Sequence, residues 1–202
     1  MTGDTMKSKL SAALALLLVT TFGAGAAQAQ QTPRPAGGGL VPLLIESKAF
    51  PDGGIVPGKY SFRGGNVQPD FSIANAPANT ASFAIIFHDI DVALGGNPDD
   101  VLHWAVWNIP GDTKQIEEGK LPAGSVNGKG IRNNEYMGPG APAGPRFHHY
   151  VFEFYALSAK LDLPTTASRP ELLEAMKGKI LAKAAYVGRF KGEAAPPAAA
   201  PK

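Results

Sequence analysis

Apolar residues recur along the middle of the chain in short runs broken by Gly, Pro, Asn and Asp, and this pattern predicts strands. The runs cover residues 41–45, 71–74, 82–91, 102–109 and 150–157. Two of them, 82–91 and 102–109, are almost continuously apolar, as expected of central strands buried on both faces. The pattern changes once, near the end. Ser168-Arg169-Pro170-Glu171 fits a capping box, in which hydroxyl and carboxylate satisfy the first free amides of a helix and Pro is tolerated in the first turn. Leu172, Leu173, Met176 and Ile180 then follow at helical spacing. Gly178 falls inside that stripe, where it costs about 1 kcal/mol relative to Ala or marks close packing. Residues 184–190 read as a last strand, and 114–120 as a solvated loop. The 24 glycines and 18 prolines suit an architecture with many turns. The predicted class is mainly β with one helix near the C-terminus.

The ends differ from this middle. Lys7 and Lys9 precede an apolar run over residues 10–19, and small residues lead to Ala27-Gln28-Ala29, the pattern of an export signal cleaved after Ala29. Met6 opens a more typical leader than Met1, so either is a candidate start. Residues 30–39 are rich in Gln, Pro and Gly, and 192–202 are almost entirely Ala and Pro. Neither stretch buries enough apolar surface to offset ordering entropy. The expected organisation is a signal over 1–29, a flexible segment over 30–39, one domain over 40–191 and a disordered tail over 192–202. The apolar run of the leader is too short for a membrane span, and no later stretch approaches one. The expected location is periplasmic or secreted.

Charge narrows the partners. The chain carries 19 basic and 17 acidic residues, and removing Lys7, Lys9 and Asp4 with the leader leaves a net charge of +1. That balance argues against electrostatic binding of nucleic acid, which needs a clustered basic surface. With no cysteine, the chain has no disulfide, no thiolate ligand and no lipid-bearing cysteine.

Four polar fragments carry the candidate chemistry: Asp89-Ile90-Asp91, His103-Trp104, Gly138-Pro139-Gly140-Ala141-Pro142 and His148-His149-Tyr150. Strand alternation puts Asp89 with Asp91 on one face and His148 with Tyr150 on another, so these groups can converge. It sends His88 and His149 to the opposite sides, where a structural role is the plainer reading. Imidazoles donate N–H to anionic oxygens, carboxylates orient imidazoles and raise their pKa, and a phenol adds a hydroxyl. Free amides of the Gly-rich loop would add an anion nest. A lone histidine in a strand is more often structural than functional; the parity of Asp89 with Asp91 and of His148 with Tyr150 weighs against that reading for His103 and His148. No G-x-S-x-G, H-E-x-x-H, P-loop or G-x-G-x-x-G motif is present.

In order and spacing these fragments resemble the phosphatidylethanolamine-binding protein family, in its bacterial Raf kinase inhibitor-like branch. The resemblance spans about residues 50–190. It includes Gly65-Asn66-Val67-Gln68-Pro69, the strand ending in Asp89 and Asp91, His103-Trp104-Ala105-Val106-Trp107-Asn108-Ile109-Pro110, the stretch 136–144, His148-His149-Tyr150-Val151-Phe152, and the closing stretch 175–182. It implies a central antiparallel sheet packed on a smaller one. It also implies a ligand pocket of Asp89, Asp91, His103, His148 and Tyr150, walled by Gly138, Pro139 and Pro142. The chain departs from the family pattern at Ile90, Ala93 and Ala141, where the family has proline.

The leading expectation is a non-enzymatic protein, without cofactor or bound metal, that takes a small anion or a phospholipid head group such as phosphoethanolamine. A regulator of a protease or other envelope protein is the second reading. A metal-dependent hydrolase using His103, His148, Asp89 and Asp91 is the third.

Overall fold

A computed structural model of the chain describes residues 42–96 and 98–193. The predicted leader, the 30–39 segment and tail residues 194–202 lie outside them. Nine strands and one α-helix are described: β1 (Leu44–Glu46), β2 (Gly54–Ile55), β3 (Phe71–Ala74), β4 (Ser82–Asp89), β5 (Val101–Pro110), β6 (Gln115–Ile116), β7 (Val126–Asn127), β8 (His148–Leu157), α1 (Arg169–Met176) and β9 (Ile180–Phe190). They form a three-stranded sheet, β1-β3-β6, and a six-stranded sheet, β2-β9-β8-β4-β5-β7. The large sheet is antiparallel except where β2 joins β9 in parallel.

The continuous apolar run of β4 has the expected consequence. Every residue of β4 is buried, and the strand lies between β5 and β8. One face of the large sheet, with Phe83, Ile85, Phe87, Phe152 and Phe154, meets Phe71, Ile73 and Ile116 of the small sheet. The other face, with Ala84, Ile86, Ala105 and Trp107, packs on Leu172 and Met176 of α1 and on Leu161. The layers are therefore small sheet, large sheet, helix.

Helix α1 starts as predicted. The Ser168 side chain caps the Glu171 amide, and the Glu171 carboxylate returns to the Ser168 N–H at 2.7 Å. Its end differs from the apolar pattern. Gly178 has φ of +70°, and no atom lies within 4 Å of where its Cβ would be, so this glycine serves a left-handed turn and not close packing. The helix stops at Met176, Ile180 opens β9, and Leu173 is exposed. The 114–120 stretch also departs from its loop reading: β6 lies within it, pairs with β3 and buries Ile116 completely. β2, β6 and β7 are two residues long, too short to show a period of two. At the far end, the Gly192 amide bonds the Ala141 and Pro142 carbonyls at 3.0 and 3.3 Å, so the ordered chain reaches into the predicted tail.

Candidate functional site

At one end of the large sheet, a cavity of about 260 Å³ opens between β4, β5 and β8 on the small-sheet side. Asp89, His103, His148 and Tyr150 line it, with Gly140, Ala141 and Pro142 as one wall. Parity accounts for three of the four polar side chains. Asp89 continues the face of Ile85 and Phe87, and His148 shares a face with Tyr150, with ring centroids 6.4 Å apart.

His103 breaks parity. Simple alternation along β5 would put it with Ala105 and Trp107, facing α1. The β4–β5 register instead pairs Phe87 with Trp104 and His88 with Leu102, leaving His103 as the extra residue of a β-bulge. The bulge turns its ring to the face of Phe87 and Tyr150, with centroids 5.4 and 5.2 Å away.

The wall is held by polar side chains. Asn66, at φ of +51°, accepts the Gly138 amide at 2.8 Å and donates to the Tyr136 carbonyl at 3.1 Å. A Cβ on Gly138 would lie 2.0 Å from the Tyr60 carbonyl oxygen, so only glycine permits this approach. The Tyr150 hydroxyl accepts the amides of Gly140 and Ala141 at 3.2 and 3.0 Å. These bonds correct the expectation of a nest: the loop amides are engaged by Asn66 and Tyr150. They also give one departure from the family pattern a consequence, since a proline at position 141 would lack the N–H that bonds Tyr150. Likewise the Ile90 amide, absent from a proline, donates to the His149 carbonyl at 3.2 Å.

Each imidazole is oriented through Nδ1. That atom of His148 bonds Asp89 Oδ2 at 2.8 Å, and that of His103 donates to the Met137 carbonyl at 2.9 Å. A carbonyl only accepts, so Nδ1 of His103 carries its proton and a neutral ring presents Nε2 as an acceptor. Burial pushes the His103 pKa below its ordinary 6.5, against the opposing pull of the Met137 carbonyl and the Asp89 charge. The expectation that nearby carboxylates raise this imidazole is thus reversed, because desolvation of the charged ring outweighs them. Burial likewise raises the Tyr150 hydroxyl, helped by the charge of Asp89.

Asp91 stands apart from the expected cluster. β4 ends at Asp89, so alternation no longer governs Asp91. Its carboxylate takes the His149 amide at 2.6 Å, the His149 ring at 2.9 Å and Arg146 at 2.7 Å. Burial would raise its pKa, but those bonds dominate and bring it down to about 2. Gly138 and Pro139 also lie outside the cavity lining, and the Pro139 carbonyl accepts the Phe62 amide at 2.9 Å. His88 faces away as expected, toward Asp100 at 2.5 Å. Sequence reasoning missed Arg63 and Arg132, which line the cavity together with Phe62 and Met137. Arg132 lies over the Phe62 ring at 4.6 Å. Both arginines sit in loops without periodicity, and the one available signal was that Arg63 precedes the quoted Gly65-Asn66 fragment by two residues. Among the described residues, no three His, Asp or Glu side chains group as metal ligands.

The profile of the phosphatidylethanolamine-binding protein family matches residues 46–191, and the chain belongs to this family. A UPF0098 protein of Methanothermobacter thermautotrophicus is 37% identical over 156 residues, covering 74% of this chain and 99% of the relative. A Mycobacterium tuberculosis protein named as a lipoprotein, LppC, is 37% identical over 163 residues, covering 80% of this chain and 77% of its own. Among solved structures, the phosphatidylethanolamine-binding protein homologue CT736 of Chlamydia trachomatis superimposes with a TM-score of 0.68 at 29% identity, covering 75% of this chain and 99% of that one. Its fold supports the same class: mostly β, two sheets and one helix.

Proposed function

We propose that the cavity binds a small oxyanion, free or as the phosphate of a phospholipid head group, without catalysing its conversion. The observation that carries this reading is the charge of the lining. Asp89 is its one carboxylate, and both of its oxygens are engaged, by His148 at 2.8 Å and by the Asp91 amide at 3.0 Å. Arg63 and Arg132 line the same space and form no ion pair among the described residues. Guanidinium groups match phosphate geometry with paired N–H donors. The neutral His103 ring offers an acceptor, which suits the P–OH of a protonated phosphate. The ammonium half of phosphoethanolamine has no unengaged carboxylate among the described lining residues, so the anionic half carries recognition.

Calorimetric titration of the protein with inorganic phosphate, O-phosphoethanolamine and ethanolamine tests this. The two phosphate compounds bind with similar affinity and ethanolamine does not. The double substitution Arg63→Gln, Arg132→Gln weakens both by at least tenfold. Ethanolamine binding, or no phosphate binding, overturns the reading. Export to the envelope is part of the proposal, supported by the leader pattern and by the relative named as a lipoprotein. Cell fractionation with N-terminal sequencing checks it, with a start at Gln30 expected in the envelope fraction.

A further inference from the structure

Asn66 lies outside the cavity lining, yet it is tied to a ring that faces the ligand space. Its backbone amide bonds the Ser61 carbonyl at 3.0 Å, which anchors it to the loop that carries Phe62 and Arg63. Its φ of +51° is a conformation that Asn adopts more readily than most residues with a side chain. One planar side-chain amide then makes two bonds of opposite sense. Oδ1 accepts the Gly138 amide at 2.8 Å, and Nδ2 donates to the Tyr136 carbonyl at 3.1 Å. A flipped amide would set donor against donor and acceptor against acceptor, so the network fixes this orientation.

Between those two bonds sits Met137, whose carbonyl takes the Nδ1 proton of His103 at 2.9 Å. Asn66 thus grips the residues on both sides of the one carbonyl that sets the His103 tautomer. The ring is 4% exposed, and burial keeps it neutral at about pH 7. With Nδ1 spent on Met137, Nε2 is left with a lone pair. Asp89 takes no proton from the ring, because both of its oxygens are engaged by His148 and the Asp91 amide. An anion in the cavity therefore meets two arginines and, beside them, an acceptor.

That combination separates oxyanions by their protons. An oxygen without hydrogen would set its lone pair against that of Nε2 and leave a buried acceptor unpaired, whereas a P–OH donates to it. Phosphate and sulfate share a tetrahedral shape, but near neutral pH phosphate keeps at least one proton and sulfate none. Charge alone would favour sulfate, a full dianion, at two guanidinium groups. We infer that Asn66 is a positioning residue that makes the site selective for a protonated oxyanion, phosphate over sulfate, by holding the Met137 carbonyl that keeps Nε2 of His103 bare. This role rests on the oxyanion reading of the cavity and adds the residue that decides which oxyanion is taken. Leaving a buried acceptor unpaired costs about 5- to 150-fold in affinity.

Calorimetric titration with inorganic phosphate and with sulfate at about pH 7 tests it. Phosphate binds the natural protein at least about tenfold tighter than sulfate. Nitrogen NMR, with His103 assigned by the signal lost in His103→Asn, shows the ring proton on Nδ1. Asn66→Gly tolerates the positive φ and removes both side-chain bonds, so the ratio falls below about threefold and the Nε2–H tautomer emerges. Tyr136→Phe removes a different wall bond, from the Tyr136 hydroxyl to the Tyr60 carbonyl at 3.0 Å, and keeps the ratio. A wall that merely loosens weakens phosphate and sulfate alike, so ratio and tautomer report position and not stability. If phosphate binds with a ratio near one or below, or the proton sits on Nε2, the selectivity is wrong and the oxyanion reading stands. These two measurements need no variant at position 66, so they decide the selectivity even where Asn66→Gly fails to fold. A ratio that survives Asn66→Gly, or falls equally in Tyr136→Phe, removes Asn66 from the role. If neither anion binds, both readings fall together.

Discussion

The two faces of the β4 end carry the same kinds of side chain and use them differently. Toward α1, His88 bonds Asp100 at 2.5 Å, and Asp100 also holds Arg169. Beside them Glu153 pairs with Lys183 at 2.5 Å and accepts the Tyr155 hydroxyl at 3.0 Å. Two carboxylates face two permanent cations, and the charges cancel within the cluster. Toward the small sheet, Asp89 is engaged by an imidazole and an amide, while Arg63 and Arg132 have no carboxylate partner among the described residues. A histidine beside an aspartate is therefore no sign of a site. The sign is a cavity whose lining cations are left uncompensated, because the positive field focused in such a cleft is stabilised by an incoming anion.

The sharpest way to break this comparison is Asp100→Ala, which leaves Arg169 and His88 without their shared acceptor. Loss of one partner from a fully buried pair costs about 3–5 kcal/mol. Asp100 is 20% exposed, so the expected loss is lower, about 2–3 kcal/mol in urea unfolding. Phosphate affinity should stay within about twofold. A tenfold loss of affinity at unchanged stability would make the α1-facing cluster part of the site.

His148→Ala acts on the other face and should weaken phosphate binding about 10- to 150-fold, the worth of a charge-assisted hydrogen bond of roughly 1.5–3 kcal/mol. Calorimetry against inorganic phosphate measures it, and a loss under threefold would remove His148 from the site.

The buried ring of His103 gives a pH signature. Its folded pKa lies below the 6.5 of the unfolded chain, so between those values the unfolded chain binds more protons. Its contribution is complete above about pH 6.5 and is lost as pH falls toward the folded value. His103→Asn should flatten the fall of the urea midpoint between about pH 7 and 5 relative to the natural protein. Parallel slopes would assign the acid sensitivity to other groups.

His149→Ala should have the smallest effect, under about threefold on phosphate affinity. Its side chain is 46% exposed, and Asp91 keeps the backbone amide and Arg146 as partners. Losses equal to those of His148→Ala would show that the two faces of β8 are not distinguished.

Much of this was legible along the chain. The buried run of β4, the flanking strands β5 and β8, the capping box of α1 and the parity of His148 with Tyr150 are all local periodicities. Local pattern sufficed because a strand between two others must bury both faces and a helix must cap its first amides. Local pattern misplaced the helix end at Gly178, where a positive φ interrupts an unbroken apolar stripe. It also grouped Asp91 with Asp89, because alternation holds only while the strand lasts.

Tertiary structure alone decided the chemistry of the site. The bulge that turns His103 inward appears only in the register between β4 and β5. The wall amides, which the sequence left free, are engaged by Tyr150, nine to ten residues along, and by Asn66, 72 residues away. Burial reversed the direction of the His103 pKa, since desolvation depends on everything packed around the ring and on none of its sequence neighbours alone. Arg63 and Arg132, the uncompensated cations, come from loops 69 residues apart, a span over which no period carries information. Alternation and capping are properties of a few adjacent residues, and so they could be read from the chain; field, burial and cavity are sums over the folded whole.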